Sequence, residues 1–319
     1  MDRRSFLERT GVALTAASSL GTLTACSSEQ EQEQEPETSA GAAGIGMCDW
    51  NLGPKADPDQ IPRAAEATLM GIQVSLENND SDIVLTDPAL QQRFLELGRE
   101  HGMTFHSVAM GLLNTYPLAT DPRAPGWLVG AIESAAALGA SNVLMAFFGN
   151  GDLRLKDANG EFTNESESEF ASYTLNEEHV ASVVGILTRT IPTARDAGVI
   201  LGLENTITAA QNLEIMERVG SDWLQIYYDL GNSTGNGYDV PNELRTIGND
   251  RLCEVHLKDW ETPLLGSEDA SVNMAGAAAA LREIGYNKWL VLETSGRRDN
   301  FMEDTRANVA WAKQTFQMA

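Results

Sequence analysis

Eight short apolar runs, each followed by a longer stretch of helical period, recur from Gly44 to the end of the chain. The runs are Ile45–Asp49, Ile72–Leu76, Thr104–Ala109, Val143–Phe148, Val199–Glu204, Gln225–Asp229, Cys253–Lys258 and Trp289–Glu293. They are nearly continuous in apolar side chains, which suits strands covered on both faces. The intervening stretches are amphipathic, among them Pro88–His101, Gly126–Leu138, Glu177–Ala197, Asn212–Val219, Ala275–Ile284 and Glu303–Phe316. Asp87-Pro88 and Asp121-Pro122 supply helix starts, a capping carboxylate followed by a residue that needs no amide donor. Parallel strands need long crossovers, and a helix packed on the sheet is the usual one. Eight such units predict an α/β fold, a (β/α)8 barrel over residues 44–319. A doubly wound open sheet is the alternative, but no G-x-G-x-x-G turn follows the first run. The long connection Gly149–Asn176 follows the fourth run, and loops after strands lie on the active face of a barrel. This loop is expected to cover a bound substrate.

The residues before the first run read as an address. Arg3-Arg4 precedes Ser5-Phe6-Leu7 and the mildly apolar stretch Val12 to Leu23, which is too short and too rich in Ser, Thr and Gly to span a bilayer. The paired arginines resemble a twin-arginine export signal, and Leu23-Thr24-Ala25-Cys26 resembles a lipobox with Cys26 as the lipidated residue. A Sec signal or a single-pass anchor is the alternative. Residues 1–26 are therefore expected to be a signal. Residues 27–43, with their Glu-Gln repeats, are expected to be an acidic linker that buries nothing. The expected location is outside the cytoplasm, periplasmic or otherwise extracytoplasmic, on a membrane through a lipid anchor. Cys48 and Cys253 make neither a disulfide framework nor a zinc spacing and read as small buried hydrophobes.

Charge narrows the partners. Asp and Glu number 46 against 22 Lys and Arg, a net charge of −24. Such a surface repels phosphate backbones, so nucleic acid is not expected as a partner. Acid excess with few lysines also suits a high-salt habitat, where self-repulsion is screened.

The chemistry is expected where strands end. In a barrel, polar residues that close an apolar strand point into the active site. The last four runs end in Leu203-Glu204-Asn205, Tyr228-Asp229-Leu230-Gly231-Asn232, Val255-His256-Leu257-Lys258-Asp259 and Leu292-Glu293-Thr294. Glu204, Asp229, His256 and Glu293 thus recur at about one βα unit each. A single carboxylate at a strand end often caps the next helix, and a single histidine is often a satisfied core residue. Four on consecutive strands would make a costly cluster unless a cation resolved it. Three carboxylates and an imidazole suit one divalent metal ion, Mn²⁺ or Mg²⁺ best, with Zn²⁺ or Co²⁺ possible. Lys258 is placed to bind a substrate oxyanion or to pair with Asp259 or Glu254. His106, read as the end of the third strand, is placed to contact substrate or to support those that do. Trp50 and Trp260 lie just past strand ends, where a flat apolar face can stack on a substrate ring or pack at the rim.

The strings Leu-Glu-Asn, Tyr-Asp-Leu-Gly-Asn, Val-His-Leu-Lys-Asp and Leu-Glu-Thr resemble the sugar phosphate isomerase/epimerase family, the xylose isomerase-like TIM barrels. The resemblance is specific over Val199 to Ser295 and topological before that. It implies that Glu204, Asp229, His256 and Glu293 hold one metal ion, and that Glu204 and Glu293 double as an acid/base pair. The implied reaction is proton abstraction next to a carbonyl, through an enediolate, in isomerisation or epimerisation. Export and the missing phosphate cradle favour a non-phosphorylated sugar or keto-sugar. The family often forms homodimers, although no segment here identifies an interface. The chain departs from the epimerases at Asn232, where they carry a histidine, and at Thr262, where they carry an arginine. Polyol contacts must differ accordingly, and Asn232 takes a place among the expected substrate contacts. The departures leave room for a lyase or dehydratase that eliminates a group from a 3-keto-glycoside or inosose. A non-catalytic sugar-binding lipoprotein is a further alternative.

Overall fold

Strands that are apolar on both faces leave costly edges in an open sheet, and closure removes those edges. In the computed structural model, which describes residues 43–79, 82–163, 172–297 and 299–317, eight parallel strands close into a barrel in chain order. They are β1 (Gly44–Cys48), β2 (Gly71–Ser75), β3 (Thr104–Met110), β4 (Asn142–Phe147), β5 (Ile200–Asn205), β6 (Leu224–Asp229), β7 (Leu252–Leu257) and β8 (Trp289–Leu292). β8 pairs back onto β1, with Gly44 opposite Trp289 and Met47 opposite Leu292. The helices are α1 (Asp49–Leu52), α2 (Ile61–Glu66), α3 (Pro88–His101), α4 (Ala124–Leu138) and α5 (Glu177–Ala197). After these come α6 (Ala209–Val219), α7 (Leu230–Gly235), α8 (Val240–Ile247), α9 (Met274–Glu283) and α10 (Phe301–Thr315). The main core lies between strands and helices and includes Val74, Val108, Val143, Leu201, Ile226 and Leu257. Each such side chain contributes roughly 1.5–3 kcal/mol on burial.

Helix boundaries follow local chemistry. Asp87 caps α3 by accepting from Ala89 N, and Gly102 ends it in the left-handed conformation at φ 66°. Asn176 caps α5 in the same way. α6 begins at Ala209, earlier than its apolar pattern suggests, because Thr208 and Gln211 form a reciprocal capping box. The helical segments after β1 and β6 are short and broken, α1 with α2 and α7 with α8, and a few residues give too little periodicity to set their bounds from sequence.

The floor of the barrel, at the strands' N-terminal ends, is filled by rings. His106 stacks on Trp289 with centroids 4.7 Å apart. β1 makes room for them: a Cβ on Gly46 would lie 2.2 Å from His106 Nε2, and one on Gly44 would lie 2.4 Å from the Trp289 ring. The expected placement of His106 at the end of its strand is therefore corrected. It is the third residue of β3, where the pleat turns it into the barrel's floor.

The connection after β4 makes a short turn at Gly149–Gly151. It then pairs with itself in antiparallel fashion, Arg154 with Leu175 and Lys156 with Phe162. Arg154 anchors it. Its guanidinium binds both oxygens of Asp152, donates to Asn236 Oδ1 at 2.7 Å and lies over the rings of Phe162 and Tyr173. The proposed signal over residues 1–26, with Cys26, and the proposed linker over 27–43 lie outside the described residues, Ala43 excepted. No described helix is long and apolar enough to cross a membrane.

Candidate metal centre and active-site cavity

Four consecutive strands bring their terminal side chains to one half of the barrel's rim. Glu204 is the penultimate residue of β5, Asp229 the last of β6, and His256 the penultimate of β7. Glu293 follows directly on β8. One ligand atom from each lies within 4.8 Å of all the others. His256 Nδ1 faces all three carboxylates, 3.0 Å from Glu204 Oε1, 3.5 Å from Asp229 Oδ2 and 3.5 Å from Glu293 Oε2.

These residues fit a divalent cation on two physical grounds. The first is Asp229. Its Oδ1 accepts from Asn232 N at 2.6 Å and so caps α7. Its Oδ2 is buried and has no hydrogen-bond partner among the described residues, a costly state that a cation relieves. The second is the local charge. Burial alone would lower the His256 pKa, but the Glu204 and Asp229 carboxylates beside it outweigh that and hold the imidazole well above its ordinary range. The cluster thus draws a proton onto a fully buried ring, and a divalent ion answers the same demand. Burial, with Asp229 beside it, also pushes the Glu293 pKa up, against the opposing pull of His256 and Lys258.

A chain of polar groups beneath the centre fixes the His256 tautomer. Glu254 is buried and accepts from Tyr227 Oη at 2.8 Å and Ser107 Oγ at 3.1 Å. Burial opposes its charge, but His106 first, then hydrogen bonds from Asn142 and Tyr227, hold its carboxyl below the ordinary range. Each hydroxyl spends its hydrogen on Glu254 and so accepts from Gln73 Nε2, both at 2.9 Å. Gln73 Oε1 is then left to accept from His256 Nε2 at 3.0 Å. A proton on Nε2 leaves Nδ1 to face the carboxylates as the ligand atom. Cys48 Sγ lies 3.5 Å from His256 Nε2 and 3.4 Å from Gln73 Oε1. Burial pushes its thiol up to about 12, so it remains a neutral group, as expected of a buried cysteine.

Above the centre a cavity of about 860 Å³ opens at the rim, a size typical of small-molecule sites. Glu204 and Glu293 line it, as do Trp50, Asn232, Lys258 and Trp260. Trp50 Nε1 donates to Glu293 Oε1 at 3.4 Å. Trp260 is exposed, donates to Gly231 O and carries the Lys258 ammonium over its ring at 4.3 Å. Lys258 pairs with Glu293 Oε2 at 3.1 Å rather than with Asp259 or Glu254. Asp259 instead accepts from the backbone of Ser271 and Val272 and shapes the connection after β7. Of the loop after β4, Phe148 is the described residue that lines the cavity.

A family model described as the xylose isomerase-like TIM barrel matches residues 61–315. The chain belongs to that family. Within it, the chain is 24% identical over 253 residues to a putative L-ribulose-5-phosphate 3-epimerase of Escherichia coli (strain K12), covering 74% of this chain and 82% of that protein. Among solved structures, D-psicose 3-epimerase from Clostridium cellulolyticum H10 superposes with a TM-score of 0.67 at 12% identity, over 86% of this chain and 99% of that one. A 3-keto-D-glucoside 4-epimerase from E. coli superposes with a TM-score of 0.67 at 16% identity, over 85% and 99%. At these identities the superpositions speak to the barrel alone.

The substrate contact expected of His106 is not what the structure provides. Its Nδ1 lies 2.9 Å from Glu254 Oε2, the ring is buried against Trp289, and it does not line the cavity. Four residues at the site escaped the sequence reading: Gln73, Asp49, Lys55 and Glu77. Glu77 carried a usable signal, a carboxylate just past an apolar run, as at Glu293.

Proposed function

We propose that this member of the xylose isomerase-like family is a metal-dependent sugar isomerase or epimerase acting on a non-phosphorylated sugar or keto-sugar. The observation that carries this reading is the four-residue cluster, which adjoins the cavity with two of its carboxylates, Glu204 and Glu293, facing the space above it. Glu204, Asp229, His256 and Glu293 would hold the ion, with Mn²⁺ or Mg²⁺ favoured by the oxygen-rich donor set and Zn²⁺ or Co²⁺ also accommodated. When bound, the ion supplies a Lewis acid that polarises the sugar's carbonyl. Glu204 on β5 and Glu293 just past β8 stand on either side of His256. One carboxylate takes the proton from the carbon next to the carbonyl, giving an enediolate, and the other returns a proton to that carbon from the opposite face or to its neighbour. Lys258 and Trp50 fix its carboxylate in place, and Trp50 and Trp260 offer apolar faces to a ring.

A second reading is elimination from a 3-keto-glycoside or inosose, which begins with the same proton abstraction. The absence of any arginine among the described lining residues, with Asn232 where the epimerases place a histidine, favours it. Product analysis by NMR on keto-sugars and keto-glycosides separates the two.

Metal content by mass spectrometry, wild type beside His256→Ala, tests the foundation. We expect about one divalent ion per chain in the wild type and loss of it in the variant. Glu293→Gln should keep most of the metal and lose turnover by about 10³-fold. A wild type without metal, and indifferent to added metal, would move a non-catalytic sugar-binding role to the front. The twin-arginine and lipobox strings further support export and lipid anchoring at Cys26. Cys26→Ala should release the protein from the membrane fraction, and unchanged fractionation would refute the anchor.

A further inference from the structure

The cavity has a second polar wall, away from the metal centre. β2 lies across the barrel from β6 in the closed strand order. Glu77, just past β2, lines the cavity on that side together with Lys55 and Gly111. Its side chain is buried, at 0% exposure. Glu77 Oε1 accepts from Lys55 Nζ at 2.8 Å. Glu77 Oε2 is buried and has no hydrogen-bond partner among the described residues.

The surroundings hold this pair in place. Ala56, next to Lys55, sits at φ 51°, in the left-handed region that residues other than glycine seldom adopt. Asp49 secures that conformation: its Oδ2 accepts from Ala56 N and Ser75 N, both at 2.8 Å, and its Oδ1 accepts from Ser75 Oγ at 2.6 Å. Gly111 leaves the pair its space, since a Cβ there would lie 2.9 Å from Glu77 Oε1 and 3.3 Å from Lys55 Nζ. A strained residue fixed by a buried carboxylate, beside a buried acceptor with nothing to accept, is the kind of feature that clusters at functional sites.

The chemistry of the wall selects its ligand. A carboxylate oxygen needs a hydrogen-bond donor, and the hydroxyl of a polyol is one. A phosphate is an acceptor and an anion, so Glu77 repels it. The cations among the described lining residues, Lys55 and Lys258, are each already paired with a glutamate. We propose that Glu77, held by Lys55, is a second recognition point of the cavity that takes hydroxyls of a neutral polyol at the end remote from the metal centre and turns away a phosphate there. This rests on reading the cavity as a sugar site.

Calorimetric titration of the full-length, Mn²⁺-loaded protein tests it with ligands that cannot react. D-glucitol has the hydroxyls of a hexose but no carbonyl, glycerol is a shorter chain with fewer hydroxyls, and D-glucitol 6-phosphate adds the anion. Glu77→Gln should weaken D-glucitol about tenfold or more relative to glycerol, the loss of one charge-assisted hydrogen bond. Gly111→Ala, which presses on the same pair from another element, should do likewise. The phosphate ester should bind the wild type more weakly than D-glucitol. No D-glucitol binding by the wild type, equal effects of the variants on D-glucitol and glycerol, or tighter binding of the phosphate would each overturn the proposal. Turnover of free ketoses is read separately. If none is turned over while D-glucitol binding still depends on Glu77, the catalytic reading falls and the recognition point stands. Turnover with binding indifferent to Glu77 means the reverse.

Discussion

Replacing Gln73 with Met keeps the volume inside the barrel and removes both amide ends from the polar chain. Nε2 of His256 then loses its oxygen acceptor and keeps only the weak Cys48 sulfur at 3.5 Å, so the tautomer that presents Nδ1 to the three carboxylates is far less favoured. We expect metal affinity to fall about 10–100-fold, the usual effect of losing such an orienting partner, with the circular dichroism spectrum unchanged. Competition against a chelator measures this, and unchanged affinity would remove Gln73 from the account. The four residues of the candidate centre were legible as a group because each closes an apolar strand. His106, Gln73 and Glu254 were harder to place, since a polar residue within an apolar strand looks alike at the floor and at the mouth. Height along the strand decides: His106 is third in β3, whereas Asp229 is last in β6. Glu77 is less legible for a different reason: it stands two residues past the end of β2, outside the apolar run that Leu76 closes.

Between elements, Glu243 at the start of α8 accepts from Ala209 N at 2.9 Å and from Tyr228 Oη at 3.3 Å, and so ties α8 to the first turn of α6. Burial pushes its pKa from 4.5 to about 7. Between those values the native protein keeps a proton that the unfolded chain has released. Stability therefore falls as pH rises through that window and levels off above it. Glu243→Gln keeps an acceptor for Ala209 N and carries no charge to desolvate. Relative to wild type it should be more stable by about 1–3 kcal/mol at pH 8 and similar near pH 4. Urea unfolding at the two pH values checks this, and a gain of equal size at both would contradict it. The strands and long helices were readable at this scale because repeated apolar spacing accumulates over many residues. The start of α6 was not, because a capping box outweighs periodicity at a helix end, and α7 is too short to show any.

Over the whole molecule, a net charge of −24 sets a field that opposes the approach of anions to the mouth, in keeping with a neutral sugar. Asp229 also links the centre to distant parts of the chain. One of its oxygens faces His256 and the other begins α7. That helix ends at Asn236, whose side chain accepts from Arg154, and Arg154 anchors the connection after β4. Loading the centre with a cation should draw Asp229 into one geometry and tighten everything hung from it. Lys156, exposed two residues beyond Arg154, should then be cut more slowly by trypsin in metal-loaded protein than in chelator-treated protein. Equal rates of cutting would uncouple the two. The outline of the loop would thus report the occupancy of a site to which it is linked through α7, making susceptibility to proteases a gauge of whether the centre carries an ion.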